Sequence, residues 1–513
     1  MSPIFLLLCT LICCKSERVQ VFRTLGVCET YFGVPNFAGS IAIGAPVSMS
    51  CANQSCPGQS STYNGIEFFE SWINSKSRGL FLNGSQYRVN LQLTDDISNE
   101  SYLLNALLNM NTRYYFGPFG SLTTTALNYT EHQSKLLISS TLGANFFSNS
   151  KLGFGILPPN SSYGTVLFQF LKDMNVKNLT VLDDESSLYC NELEYVRLAS
   201  QFGIQMVNYY RVRSMEDLEK AIFTISYGST EVVFGCSTMY HFCIDLVYIA
   251  KNIKYSPKGI VFSDCLSFNE VRESLGQYAE NLFGVQPWSP DDLSERKSSI
   301  TGYTAATFSS SYYHTFLQYP TFYSASAFSV GEMLISAIEI ANSTDVVNVA
   351  NALRNNIFST LISDISVSDP TSTFPLSVVQ LQSGLQKVIY HNNSFVQGAH
   401  IQYPMLTWDA INCNVLTSNC NGHGYCSSAG NCVCQQGYYG EINLASCDTF
   451  CNGTYNSSSS KPCIANNKFF IGGFISSTQS KVENTSNEYM ATYTNSLLPT
   501  IGKGVQCCHE TCS

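Results

Sequence analysis

From Ser40 onward the chain alternates short apolar runs with longer amphipathic ones. "SIAIGAPV" is a continuous apolar run of strand length, whereas in "YNGIEFFESWINS" Ile66, Phe69 and Ile73 recur at three- and four-residue steps, the face of a helix. "YRVNLQL" then alternates Tyr87, Val89, Leu91 and Leu93 with Arg88, Asn90 and Gln92, as a half-buried strand does. Two further rounds follow, "SYLLNALLNM" to "RYYFG" and "LTTTALNYTEH" to "KLLIS". After "GFGILPPNSSYG" the rhythm restarts with "TVLFQFLKDM", "NLTVLD", "ELEYVRLASQ", "IQMVNYY", "MEDLEKAIFTI", "EVVFG", "MYHFCIDLVYIAKNI" and "KGIVFS".

Strands alternating with helices predict an α/β architecture with parallel sheets. So many units exceed what one core holds, because cores stop growing beyond about 250–300 residues. The reading is therefore two doubly wound lobes within residues 38–410, changing near 155–160 and crossing back near 287. Long helices from Tyr303 to Tyr319 and from Phe322 to Ala341 return to the first lobe; "VVNVANALRNN" and the strands "SVVQLQ" and "KVIYHN" follow them.

Compartment changes the picture next. The apolar run from Ile4 to Cys14, bounded by Lys15 with Ser16 beyond, reads as a secretory signal over residues 1–16. It is too short for a spanning helix, and no other run reads as long enough. Cys9, Cys13 and Cys14 leave with it, and the remaining 18 of 21 cysteines are an even number suited to an oxidising compartment. Eleven Asn-x-Ser/Thr sequons, at Asn53, Asn83, Asn99, Asn128, Asn160, Asn178, Asn342, Asn392, Asn452, Asn456 and Asn484, predict a glycosylated surface. The expectation is a secreted, extracellular chain, or the cell-surface part of a receptor whose anchor lies outside this sequence.

Net charge is −10 with only 12% charged residues, so no basic stripe exists to neutralise phosphates and nucleic acid is excluded as a partner. Gly-x-Ser-x-Gly, His-Glu-x-x-His and the Gly-x4-Gly-Lys-Ser/Thr phosphate loop are absent, which argues against an enzyme; neither cofactor nor metal is expected.

The succession "NGIEFFESWINSKSRGLFLNGSQYRVNLQLTDD", "FGPFGSLTTTA", "KLLISSTLGA", "GFGILPPNSSYG" and "YSASAFSVGEMLISAIEIANSTDVVNVANALRNNIFS" resembles the type 1 periplasmic-binding-protein fold. That is the fold of branched-chain amino-acid binding proteins and of the ligand-binding regions of natriuretic-peptide and metabotropic glutamate receptors. The resemblance covers roughly residues 38–400. It implies a bilobed cleft closing on a small ligand, and is compatible with a homodimer.

In open α/β sheets the ligand lies beyond the carboxyl ends of the strands. "GPFGSLTTT" follows one strand and opens a helix that Ser121 is placed to cap, and "SSTLGA" presents Ser139, Ser140 and Thr141; hydroxyls and backbone donors there suit an anionic or polar group. The plain alternative, a capped helix and an ordinary polar loop, is equally open. By resemblance to amino-acid-binding members, Ser121, Ser140 and Thr141 hold the carboxylate and amino groups of an amino-acid-like ligand, while Tyr189 and Asp264 close from the second lobe. Tyr189 as loop packing and Asp264 as a helix cap are the structural readings of the same residues. No basic residue is found to grip a distal acid, so glutamate is not favoured.

From Cys413 to Cys447 the spacing C-x6-C-x5-C-x5-C-x-C-x12-C, with "CNGHGYC" and "CVCQQGYYG", resembles an EGF-like module over residues 411–447. That resemblance implies the pairs Cys413–Cys426, Cys420–Cys432 and Cys434–Cys447, with Cys451 a competing final partner because the last interval is longer than usual for such modules. A module this small needs disulfides to fold, and C-x-C without C-x2-C pairs is poor zinc geometry. Cys51 with Cys56 reads as a local staple, and Cys236, Cys243 and Cys265 as partners within the second lobe. Beyond 448, "NKFFIGGFISST" echoes the first strand, as if opening another domain, ahead of a terminal "CCHETC". Two functions follow: an extracellular small-ligand sensor, or a secreted adhesion or matrix protein using the EGF-like module as an interaction surface.

Overall fold

The computed structural model describes residues 37–49, 59–75, 79–118, 120–140, 147, 150–185, 187, 190–292, 295–368, 374–435, 438–439, 447, 449–450, 453–455 and 463–465. The expected signal, the Cys51–Cys56 staple, Thr141, Tyr189 and the "NKFFIGGFISST" and "CCHETC" segments lie outside them.

The first lobe is built from β1 (Gly39–Val47), α1 (Gln59–Ser75), β2 (Leu80–Leu82), β3 (Ser85–Asp95), α2 (Glu100–Asn109), β4 (Tyr114–Phe116), α3 (Thr123–His132), β5 (Leu136–Ser139) and β6 (Gly153–Gly155). Its sheet runs β2-β3-β1-β4-β5-β6, parallel except for the β2–β3 hairpin.

The second lobe follows with α4 (Asn160–Asp173), β7 (Asn178–Asp184), α5 (Glu192–Phe202), β8 (Gln205–Val212), α6 (Met215–Ser226), β9 (Val232–Cys236), α7 (Tyr240–Asn252), β10 (Gly259–Phe262), α8 (Asn269–Leu275) and β11 (Phe283–Gln286). β9 and β10 are buried along their whole length, which is why they read as unbroken apolar runs: helices cover both faces of a parallel sheet.

The chain then returns to the first lobe as α9 (Ala305–Phe316), α10 (Phe322–Ala341), α11 (Val346–Asn355) and the hairpin β12 (Ile357–Ser359) with β13 (Asp364–Ser366). Thr321 and Ser324 form a reciprocal capping box at the start of α10, and Asp345 caps α11 by accepting from Val347 and Asn348. α10 is long and apolar enough to cross a membrane by length and composition, contrary to the reading that no internal run approaches that size. It is instead a core helix, 78% buried over its apolar window, laid against α1 so closely that a Cβ at Gly65 would strike the Ser324 backbone. Its one buried acid, Glu332, is satisfied. The Ser298 and Thr301 hydroxyls each donate to Oε1 at 2.6 Å, and the Leu361 N–H donates to Oε2 at 2.7 Å.

A third crossing was not foreseen. β14 (Ser377–Gln382), β15 (Leu385–His391) and β16 (Ser394–Phe395) do not stay with the helices they follow but join the second sheet antiparallel, giving the order β16-β15-β14-β11-β10-β9-β7-β8. Periodicity marks these segments as strands but carries no information about which sheet edge they reach.

The cysteine-rich segment opens with α12 (Trp408–Leu416), which straddles the expected boundary at 410–411, and continues into the hairpin β17 (Gly424–Cys426) with β18 (Cys432–Cys434). It is docked on the second lobe. The buried Trp408 indole N–H donates to the Tyr255 carbonyl at 2.7 Å, and Tyr278 donates to Asn412 at 2.7 Å. Beyond residue 448, a separate unit contributes a short antiparallel pair, Gly453–Tyr455 with Cys463–Ala465.

Candidate functional site

Strand order reverses direction between β1 and β4 in the first sheet and between β7 and β9 in the second, so the crevice for a ligand opens at the carboxyl ends of these strands. In the first lobe β5 delivers Ser139 and Ser140 there, both buried. The Ser139 hydroxyl donates to the Pro118 carbonyl at 3.2 Å, joining the ends of β5 and β4. Gly117 leaves room for that contact, since a Cβ would sit 3.0 Å from Ser139 Cβ.

Ser121 lies in a single 3-10 turn, Gly120–Leu122, that runs straight into α3. The cap position of this helix falls on Leu122, one residue beyond the expected Ser121, and the Leu122 side chain makes no cap bond. The loop is tied instead by the Thr123 hydroxyl, which donates to the Pro118 carbonyl at 3.0 Å. A further acid, Asp96, stands fully buried at the end of β3 with Ser48 and the Ser98 N–H as donors to it.

The second lobe presents a cluster that sequence reading caught only in part. Asp264 follows β10, and its capping role is also corrected: it precedes the turn Cys265–Ser267 without a side-chain cap bond. It is 4% exposed, Oδ1 meets no donor among the described residues, and burial pushes its pKa up to about 7. Asp183 and Asp184, missed before, end β7. Tyr209 donates to Asp183, with Arg211 Nε 3.6 Å away, yet burial still raises Asp183 above the usual carboxylate range. The Ser237 hydroxyl, at the end of β9, donates to Asp184 Oδ2 at 2.6 Å. Asp183 closing the predicted strand "NLTVLD", with Asp184 just beyond it, was the available signal.

Disulfides fix this floor. Cys236 pairs with Cys190, a partner not anticipated, and the Tyr195 hydroxyl lies 3.2 Å from Cys236 Sγ; Cys243 pairs with Cys265. In the cysteine-rich segment the bonds are Cys413–Cys426, Cys420–Cys432 and Cys434–Cys447. The sulfur atoms of Cys413, Cys420, Cys426 and Cys432 all lie within 4.8 Å of one another, but disulfide sulfur is not the thiolate that a zinc site requires.

The two lobes touch at one rim. Phe268, just before α8, stacks on Tyr323 of α10 with ring centroids 5.1 Å apart, and Asn269 Nδ2 donates to the Tyr319 carbonyl at 2.9 Å.

With this geometry in hand, comparison with solved structures names the architecture. A leucine-binding protein, LivK, of Thermotoga maritima superposes with a TM-score of 0.57 at 15% identity, covering 68% of this chain and 98% of its own. The branched-chain amino-acid binding protein LivJ of Streptococcus pneumoniae, in complex with isoleucine, gives 0.58 at 15%, covering 69% and 98%. A solute-binding protein of R. palustris in complex with benzoate gives 0.58 at 12%, covering 71% and 99%. This is the type 1 periplasmic-binding-protein-like fold. No family model matches the sequence. The likeness at these identities establishes the bilobed α/β fold, to which a disulfide-rich C-terminal region is added; amino-acid and aromatic-acid complexes on one fold show that side chains, not topology, choose the ligand.

Proposed function

We propose that this chain is the extracellular ligand-binding region of a sensor, closing its two lobes on an amine-bearing, amino-acid-like small molecule. The observation that carries the reading is Asp264, a buried carboxylate at the carboxyl edge of the second sheet, one oxygen of which meets no donor among the described residues. Retaining an unsatisfied acid costs folding free energy, and an arriving ammonium group would satisfy it. Ser140, with Ser121 and Thr141 from the neighbouring loops, receives the ligand's carboxylate in the first lobe, and Tyr189 closes over it with Asp264. The work of such a cleft is binding and population shift rather than chemistry.

In this reading residues 1–16 are a leader, 38–410 the binding region, 411–447 an EGF-like spacer, and 448–513 the start of a further domain. All seven sequon asparagines among the described residues are exposed or half-buried, which supports a glycosylated, extracellular chain. The decisive experiment is thermal denaturation of the secreted protein against amino acids, small peptides, amines and nucleotides. A ligand at a hundredfold over its Kd raises stability by about 2.7 kcal/mol. A shift lost in Asp264→Asn and in Ser140→Ala supports the reading. Absence of any shift across the panel favours an adhesion role.

A further inference from the structure

A second concave site lies at the carboxyl edge of the second sheet, beside the β15–β16 turn, where the third crossing passes the first helix of the second lobe. Ser161, Ser162, Thr165 and Val166 of α4, Phe374 of the crossing, and Asn392 and Asn393 of the β15–β16 turn line an open concavity of about 480 Å³. That volume falls within the range of small-molecule sites. None of the described lining residues is charged. The side chains of Ser161, Ser162, Asn392 and Asn393 make no hydrogen bond to another described residue. Each therefore offers unused donors and acceptors, and the largely buried Phe374 adds an aromatic surface beside them.

Neutral hydroxyls and carboxamides around one aromatic ring match a ligand that is polyhydroxylated at its edge and apolar on one face. We infer that this pocket binds neutral carbohydrate of the N-acetylhexosamine or hexose class. Two sources share that chemistry. The sequon Asn392-Asn393-Ser394 puts a glycosylation site on the pocket's own wall, and Asn160-Ser161-Ser162 puts another beside it. A glycan on Asn392 starts where the pocket starts; a free saccharide reaches the same groups from solvent. Either occupant bridges α4 to the 374–376 crossing.

The test is hydrogen exchange on the glycosylated full chain, read at residues 161–166 and in the crossing around Leu376. With the chain's own glycan as occupant, Asn392→Gln speeds exchange several-fold in both segments, while Asn128→Gln, a distant sequon, leaves them unchanged. Thr165→Trp, which fills the pocket and keeps both sequons, gives the same loss while mass spectrometry still finds the Asn392 glycan. With a free sugar as occupant, Asn392→Gln is silent, but N-acetylglucosamine or a mannose oligosaccharide slows exchange in both segments of the wild-type chain and not in Thr165→Trp. If Asn392→Gln is silent and neither sugar protects either segment, the pocket is not a carbohydrate site.

Discussion

Phe268 of the second lobe lies face to face with Tyr323 of the first, 17° from parallel, with both side chains almost wholly out of solvent. The stack is a direct apolar tie between the two lobes. Aromatic pairs contribute about 1 kcal/mol beyond their burial.

Removing either ring therefore loosens the lobes. Phe268→Ala or Tyr323→Ala should cost ~3 kcal/mol in denaturant unfolding, with a coupling of about 1 kcal/mol in the double-mutant cycle. Small-angle scattering should show a larger radius of gyration for the unliganded variants. An additive cycle with unchanged scattering would show that the stack does not restrain the cleft.

Asp264 makes stability depend on pH. Its folded pKa, about 7, stands above the ordinary value of 3.8, so the folded chain holds a proton that the unfolded chain releases. The associated stability is complete below about pH 3.8 and lost as pH rises through about 7. Asp264→Asn, which cannot ionise, should gain on the wild type by on the order of 3 kcal/mol between pH 4 and pH 8. Binding of an amine that pairs with this carboxylate should strengthen over pH 6 to 8, because the ionised form is the partner. A pH-independent difference between wild type and Asp264→Asn in urea titrations would refute the assignment.

Trp408 holds the cysteine-rich segment against the second lobe through its burial and the bond to Tyr255. Trp408→Ala should cost ~3 kcal/mol locally and open the approach to α12, seen as protease cleavage between residues 396 and 410. Unchanged cleavage would place the anchor elsewhere.

The crowding of Cys413, Cys420, Cys426 and Cys432 predicts exchangeable pairing. In Cys413→Ala the orphaned Cys426 thiol should attack the neighbouring Cys420–Cys432 bond, so peptide mapping finds a mixture of Cys420–Cys426 and Cys420–Cys432. In the Cys420→Ser, Cys432→Ser double variant the segment should lose about 3 kcal/mol, the loop-closure value for a dozen residues, while the lobes unfold unchanged. A single fixed pairing in Cys413→Ala would contradict this.

What the sequence determined by itself was local. Steps of three and four residues wrote α1 at Ile66, Phe69 and Ile73, and unbroken apolar runs wrote the doubly covered β9 and β10, because burial on one stripe or on both faces leaves its period in the chain. The order of such segments was enough to state the bilobed α/β fold. Tertiary structure alone decided which elements meet. The apolar length of α10 does not distinguish a core helix from a membrane span until α1 and α11 are packed against it. β14 and β15 are strands in either lobe until an open sheet edge takes them. Cys190 and Cys236 are 46 residues apart and join only when β7 and β9 become neighbours. Asp264 reads as a helix cap in the chain; only the fold around it buries the carboxyl and leaves Oδ1 without a donor among the described residues, and that desolvation, invisible to any local pattern, makes it the candidate centre of the site.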